Sequence, residues 1–207
     1  MSMSYIKKVL PVVFVLFTGC SSTPDIQPSK PETVATQAPP AQVLNKHDTS
    51  ASELAEYKTA ITHLNNDELD KAYPLLKQFT ENRPELAGPW ANLGLLLAKQ
   101  NKLDEAAAML TKAIERNPGL AQALNIMGYV ENLRGNYLQA ETYYIKAITV
   151  KPEYSNAHYN LALLYDIYYQ DVNKAIPYYE KYLKLVKNSD KETSEWLSQI
   201  KSAQKGN

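Results

Sequence analysis

The stretch that decides the fold is PWANLGLLLAKQNKLDEAAAMLTKAIERNPG, residues 89–119. Shifted by 34 positions it meets ALNIMGYVENLRGNYLQAETYYIKAITVKPE, residues 123–153. Gly94 falls on Gly128, Ala106 on Ala140, Ala113 on Ala147 and Pro118 on Pro152. One period earlier, Ala60, Ala72 and Pro84 occupy the matching places. One period later Gly128 maps to Ala162, and with one inserted residue near Tyr169 and Gln170, Ala140 maps to Ala175 and Tyr144 to Tyr179. Self-similarity at such a period is the mark of a stacked repeat architecture.

Each column has a physical reason. Small residues at Ala60, Gly94, Gly128 and Ala162 belong where two helices of a pair approach closely. Ala72, Ala106, Ala140 and Ala175 do the same from the second helix. Pro84, Pro118 and Pro152 follow a helix end and prevent its continuation. Asn66-Asp67, Asn101-Lys102 and Gly135-Asn136 mark the turns inside each pair. Apolar residues recur at helical spacing, as in Leu93, Leu96 and Leu97 or Met109, Leu110 and Ile114.

The unit Trp90-x-x-Leu93-Gly94, then Ala106, Ala113 and Pro118, resembles the tetratricopeptide repeat. The resemblance implies an all-α fold: a right-handed α-α superhelix of about four helix pairs. The four copies are expected at 53–86, 87–120, 121–154 and 155–188, the inner two matching most closely. Ser189 with Glu192 forms a candidate capping box. A capping helix over 189–203 is expected to cover the open end with Trp196, Leu197 and Ile200.

The first twenty residues read as an address. Lys7 and Lys8 precede an uncharged apolar run, Val9 to Phe17, which is shorter than the roughly 20 residues a transmembrane helix needs. It ends in Leu16-Phe17-Thr18-Gly19-Cys20, which resembles the lipobox of bacterial lipoproteins, with Phe17 where Leu is usual. That resemblance implies a signal peptide over 1–19 and lipidation of Cys20. It also implies a lipid-anchored, periplasm-facing chain, in the outer membrane rather than the inner because Ser21 follows the cysteine. Residues 20–50 are rich in Pro, Ser, Thr, Ala and Gln, with Pro24, Pro28, Pro31, Pro39 and Pro40 close together. Such a segment buries too little apolar surface to offset its chain entropy, so a disordered tether is expected, spanning roughly 30 Å as a flexible coil.

Composition narrows the function classes. The 207-residue chain has 44% hydrophobic and 21% charged residues and a formal net charge of zero. That balance argues against a nucleic-acid footprint, which wants a basic domain. One cysteine excludes a disulfide framework, and three histidines (His47, His63, His158) leave little for metal chemistry. No Ser-His-Asp grouping, metal motif or phosphate loop appears, so the chain reads as non-catalytic, with no cofactor.

Function is therefore sought in a binding face. The first helix of each pair is expected to line the concave side of the superhelix. Projecting the 34-residue register places one column at Tyr57, Ala91, Asn125 and Tyr159, and the next at Ile61, Leu95, Tyr129 and Leu163. A third carries Leu64, Ala98, Asn132 and Asp166, and a fourth Lys58, Asn92, Ile126 and Asn160. A partner-binding groove is thus expected at Tyr57, Ile61, Asn92, Leu95, Asn125, Tyr129, Asn132, Tyr159, Asn160 and Leu163. Side-chain amides can grip a peptide backbone, and tyrosine supplies a stiff contact with a polar tip. These columns hold too few basic residues for the carboxylate clamp of chaperone-binding relatives. Twelve of the fifteen tyrosines lie from Tyr129 onward. Tyr168 and Tyr169, beside the insertion, form a possible second patch. The reading is a membrane-anchored adaptor for cell-envelope proteins. A pilotin-like role with a secretin is weighed against a scaffold for a peptidoglycan enzyme or an accessory subunit of an envelope transport machine.

Overall fold

A computed structural model of the chain describes residues 50–205. Those residues form four helix pairs: α1 (Ala51–Asn65) with α2 (Leu69–Asn82), α3 (Ala87–Lys99) with α4 (Leu103–Arg116), α5 (Ala121–Leu133) with α6 (Tyr137–Val150), and α7 (Ser155–Leu163) with α8 (Val172–Leu185). A final helix α9 (Lys191–Lys205) packs on α8. Contacts run between consecutive helices and between first helices of successive pairs, the pattern of a one-dimensional solenoid. Among the described residues there is no strand, and no helix is long and apolar enough to cross a membrane.

The small-residue columns are the closest points of each pair. A Cβ on Gly128 would stand 2.6 Å from Cε1 of Tyr144, and one on Gly94 would stand 2.7 Å from Cγ of Leu110. Leu76, Leu110 and Tyr144, spaced 34 apart, and Tyr179, one residue further on, form the large column facing the small one, and all four are buried. Ala72, Ala106, Ala140 and Ala175 are fully buried as well. The pairs thus pack a small first-helix residue against a large second-helix residue, which sets their separation.

The turns repeat with equal fidelity. Backbone N–H groups of Glu68, Lys102 and Asn136 donate to the carbonyls of His63, Leu97 and Glu131, closing the end of each first helix. The residue just before each donor is left-handed: Asp67 (φ 60°), Asn101 (φ 60°) and Gly135 (φ 78°). Glycine alone carries this conformation without steric cost, and Asn and Asp tolerate it best among the rest. Pro84, Pro118 and Pro152 each stand two residues past the end of α2, α4 and α6.

The fourth pair departs from the pattern, and the departure locates the inserted residue. A π-helical turn, Leu164–Tyr168, follows α7. The closing bond there runs from the Asp171 N–H to the Tyr165 carbonyl, six residues back instead of five. Gln170 takes the left-handed place with φ 53°. The extra residue is therefore absorbed inside the end of the first helix, and the second helix re-enters in register.

The end helix is capped by a different residue from the one its sequence suggests. Asp190, not Ser189, caps α9. Its Oδ1 accepts the Thr193 N–H at 3.0 Å, and its Oδ2 accepts the Thr193 hydroxyl at 2.8 Å and the Tyr182 hydroxyl at 2.8 Å. An aspartate at this place also favours the helix dipole. Burial pulls the Asp190 carboxyl up, but these hydrogen bonds outweigh it and hold the group below its ordinary value.

Two outcomes test this packing. Gly128→Leu is expected to lower the unfolding free energy by about 3 kcal/mol or more, because the side chain overlaps Tyr144 and forces the pair apart. Urea denaturation followed by circular dichroism reads it, and full stability would contradict the close approach. Asp190→Ala is expected to cost about 1–2 kcal/mol at neutral pH as a lost cap. The folded carboxyl ionises at lower pH than the unfolded one, so its contribution is complete above the ordinary value of 3.8. It fades as pH falls below that value, and the gap between the two proteins closes in acid.

Candidate functional site

The first helices place the expected groove residues in two classes. Tyr57, Ile61, Asn92, Leu95, Asn125, Tyr159 and Asn160 are buried. Tyr129, Asn132 and Leu163 remain partly accessible. The reason lies in the hydrogen bonds. The Asn92 Nδ2 donates to the Tyr57 hydroxyl at 2.5 Å, and the Asn160 Nδ2 donates to the Asn125 Oδ1 at 2.9 Å. Both links join residues 35 apart, not 34. The helices are rotated from one repeat to the next, so a side chain in one column meets the neighbouring column of the following repeat. The parallel columns of the sequence projection become a zipper, and the seven buried side chains face each other and the core.

The zipper is a broken amide ladder. Gln122 Nε2 extends its first half by donating to Asn92 Oδ1 at 3.2 Å. Gln122 Oε1 and Asn125 Nδ2, three residues apart on α5, have no partner among the described residues. Asn132 Oδ1 is likewise buried without a partner. Burial drives the Tyr57 hydroxyl far above the usual phenol range, with the Asn92 bond opposing it. Tyr57 also packs its ring on Phe79 at 5.1 Å.

Of the accessible residues, Tyr129 lies near Tyr168, which the sequence had set apart from the groove. Burial, followed by the proximity of Tyr168, raises the Tyr129 hydroxyl above its ordinary range. Tyr168 packs on Tyr137 with ring centroids 4.6 Å apart. Tyr168 is 42% exposed, and around these turns Leu133 is 44%, Leu138 75% and Ile167 39% exposed. Leu133 and Ile167 are register equivalents, 34 residues apart, one at the end of α5 and the other in the π-helical turn that follows α7. Periodicity could have found this pair, because it places two large apolar residues where an exposed helix end is expected. Tyr169 goes elsewhere. It packs on Tyr165 at 5.8 Å, and burial, followed by the nearby Glu141 carboxylate, raises its hydroxyl above the ordinary range.

Polar links between repeats accompany this surface and were not legible in the motif. Arg134 reaches back to Asp104 at 2.5 Å and to Glu131 at 2.9 Å. Glu131 is buried and also accepts from Asn136 Nδ2 at 2.7 Å. Lys99 pairs with Asp67 of the preceding turn at 3.0 Å. The exposed members of such pairs contribute little individually; they fix turn to turn. Among the described residues, no group of three His, Cys, Asp or Glu side chains is placed to hold a metal ion. Cys20 lies outside the described residues.

The geometry defines a helical-repeat solenoid with tetratricopeptide-type pairs. Residues 57–121 and 91–149 match the tetratricopeptide repeat family, so this central stretch carries tetratricopeptide repeats. Solved structures share the fold. A thermophilic TPR protein of Thermus thermophilus is 22% identical, with TM-score 0.63, covering 71% of this chain and 80% of that one. Pseudomonas aeruginosa pilF is 22% identical, with TM-score 0.63, covering 73% and 70%. YrrB, described as a TPR protein with an unusual peptide-binding site, is 20% identical, with TM-score 0.54, covering 72% and 75%. Among curated proteins, the protein O-mannosyl-transferase TMTC1 of Homo sapiens is 34% identical over 98 residues. That match takes in 47% of this chain but only 11% of the relative, so this chain spans about a tenth of the protein it resembles.

The ladder yields a stability prediction. Asn92→Ala strands the Tyr57 hydroxyl and the Gln122 amide in the interior and is expected to cost about 2–3 kcal/mol. Tyr57→Phe removes one hydroxyl and is expected to cost about 1 kcal/mol. Urea unfolding of the two variants checks the order. Equal, negligible losses would show that these groups reach water.

Proposed function

We propose that this chain is a non-catalytic, membrane-anchored adaptor of the bacterial cell envelope. Lipid on Cys20 would hold it to the outer membrane, and a solenoid at the end of the tether would bind another envelope protein. The observation that carries the binding reading is the aromatic and aliphatic surface of the third and fourth repeats, built on Tyr129, Leu133, Leu138, Ile167 and Tyr168. Leu133, Leu138, Ile167 and Tyr168 are large and exposed, and Tyr129 is partly accessible near Tyr168; side chains of this kind have the composition of a protein interface. Tyr129 and Tyr168 are the anchors: large, rather rigid, and polar only at the tip.

The anchor reading rests on the sequence alone. The Leu16-Phe17-Thr18-Gly19-Cys20 run resembles a lipobox, and acylation at more than one position holds a chain far more firmly than one lipid. A pilotin-like role in type IV pilus or secretin assembly is the favoured reading of the partner, and the shared fold with pilF is consistent with it. A scaffold for peptidoglycan synthases or hydrolases, or a subunit of an envelope transport machine, is the alternative.

The test is crosslinking in whole cells followed by mass spectrometry, comparing the native chain with the Tyr129→Ala/Tyr168→Ala variant and with Cys20→Ser. The tyrosine variant is expected to stay folded and to bind the captured partner at least about 30-fold more weakly, the effect of losing hot-spot side chains. Cys20→Ser is expected to lose incorporated palmitate and to leave the membrane fraction. Unchanged capture by the tyrosine variant would move the interface away from this surface, and retained membrane association of Cys20→Ser would remove the anchor.

A further inference from the structure

A second concavity opens on the fourth pair and shares no residue with the surface above. It is an open depression of about 570 Å³, lined by His158 and Tyr165 from the first-helix side and by Asn173, Lys174, Pro177, Tyr178 and Lys181 from α8. The His158 position in register is Trp90 two repeats earlier, and both side chains do the same structural task. The Trp90 indole donates to the Pro84 carbonyl at 2.9 Å, and the His158 Nε2 donates to the Pro152 carbonyl at 2.8 Å. A carbonyl can only accept, so the proton sits on Nε2 and leaves Nδ1 as a bare acceptor. That Nδ1 is buried with no partner, on a residue only 6% exposed. Indole has no second nitrogen, so replacing it by histidine adds a buried, unsatisfied acceptor on a residue that lines this concavity.

The rest of the lining says what would satisfy it. Tyr165 and Tyr178 stack with centroids 5.7 Å apart and 22° between planes, a flat apolar wall. The Tyr165 hydroxyl is already committed to Glu141 at 2.5 Å. Lys181 has no ion pair among the described residues, and its charge acts on His158. Lys174 stands 5.4 Å from the Tyr165 ring centre and 3.4 Å from Asp171. The seven lining residues include two lysines and no carboxylate. A fitting occupant therefore carries an N–H for Nδ1, an apolar plane for the tyrosines and a negative charge for the lysines. A peptide segment with an aromatic residue beside a glutamate or aspartate supplies all three. We infer that the concavity between α7 and α8 is a docking site for an acidic, aromatic segment of a protein partner, with His158 accepting a backbone N–H and Lys174 and Lys181 facing the carboxylates.

The experiment is an NMR titration of the ¹⁵N-labelled full chain with acetyl-Glu-Phe-Glu-amide and, separately, acetyl-Gln-Phe-Gln-amide. The glutamate peptide is expected to move the amide signals of Lys174, Tyr178 and Lys181 and to bind at least about fivefold more tightly than the glutamine peptide, the scale of an exposed charge pair. The pair Lys174→Glu/Lys181→Glu, at exposed positions, is expected to erase that preference while the circular dichroism stays unchanged. His158→Phe keeps a ring in place and is expected to weaken both peptides alike, because the acceptor serves the backbone. Equal binding of the two peptides, no shifts at millimolar peptide, or shifts confined to Tyr129 and Tyr168 would each overturn the assignment.

Discussion

The structure depends on the distance between the two helices of a pair, and that distance is set by a missing side chain. At Gly94 and Gly128 the partner helix brings Leu110 and Tyr144 to where a Cβ would be. Burying a large side chain against bare backbone removes apolar surface from water and leaves no void. It also fixes where the next pair must stand. The rotation between repeats follows from how each pair sits on its predecessor. Everything on the first helices inherits that rotation, including which side chains meet and which stay in water.

This is why the fold was legible and the site only partly so. A glycine or alanine every 34 residues, an alanine opposite it and a proline past each helix end are local requirements, and each leaves a residue-type signature. The turn signature even survives a departure: Gln170 is a poor residue for a left-handed position, yet the chain places it there because the insertion leaves no other. The groove expectation needed a different quantity, the rotation between neighbours, which no residue type encodes. Projecting columns at a spacing of 34 sent Asn92, Asn125 and Asn160 to the surface. The true neighbour relation of 35, seen in Tyr57–Asn92 and Asn125–Asn160, sends them inward. Tyr168 kept its exposed place, while its sequence neighbour Tyr169 turned into the tyrosine cluster around Tyr165.

The amide ladder illustrates what such burial does. A leucine at Asn92 would satisfy the volume, but it would not specify which face of α1 lies against α3. The hydrogen bond to Tyr57 does, because a misrotated helix strands both groups at a cost of about 1–3 kcal/mol each. Polar residues in this interior therefore act on the geometry between repeats, whereas the small residues act within them. The two sets do not overlap in sequence, which lets repeat spacing and repeat rotation be set independently.

The fourth pair shows what happens when one constraint is relaxed. Its first helix ends in a π-helical turn, and tyrosines such as Tyr179 and Tyr182 stand where leucine and alanine stand in the second pair. Aromatic rings are large and flat, so they accommodate a shifted helix end by tilting instead of leaving a hole. The cost is a looser fit, with a concavity between α7 and α8 and hydroxyls that need partners. Glu141 and Asp166 supply those for Tyr165 and Tyr179. Irregularity destabilises the terminal repeat less than an inner one, since only one neighbouring pair must match it and α9 covers the far side. Departures from the repeat therefore collect there, and a departure is where a stacked scaffold gains a surface its other copies do not have.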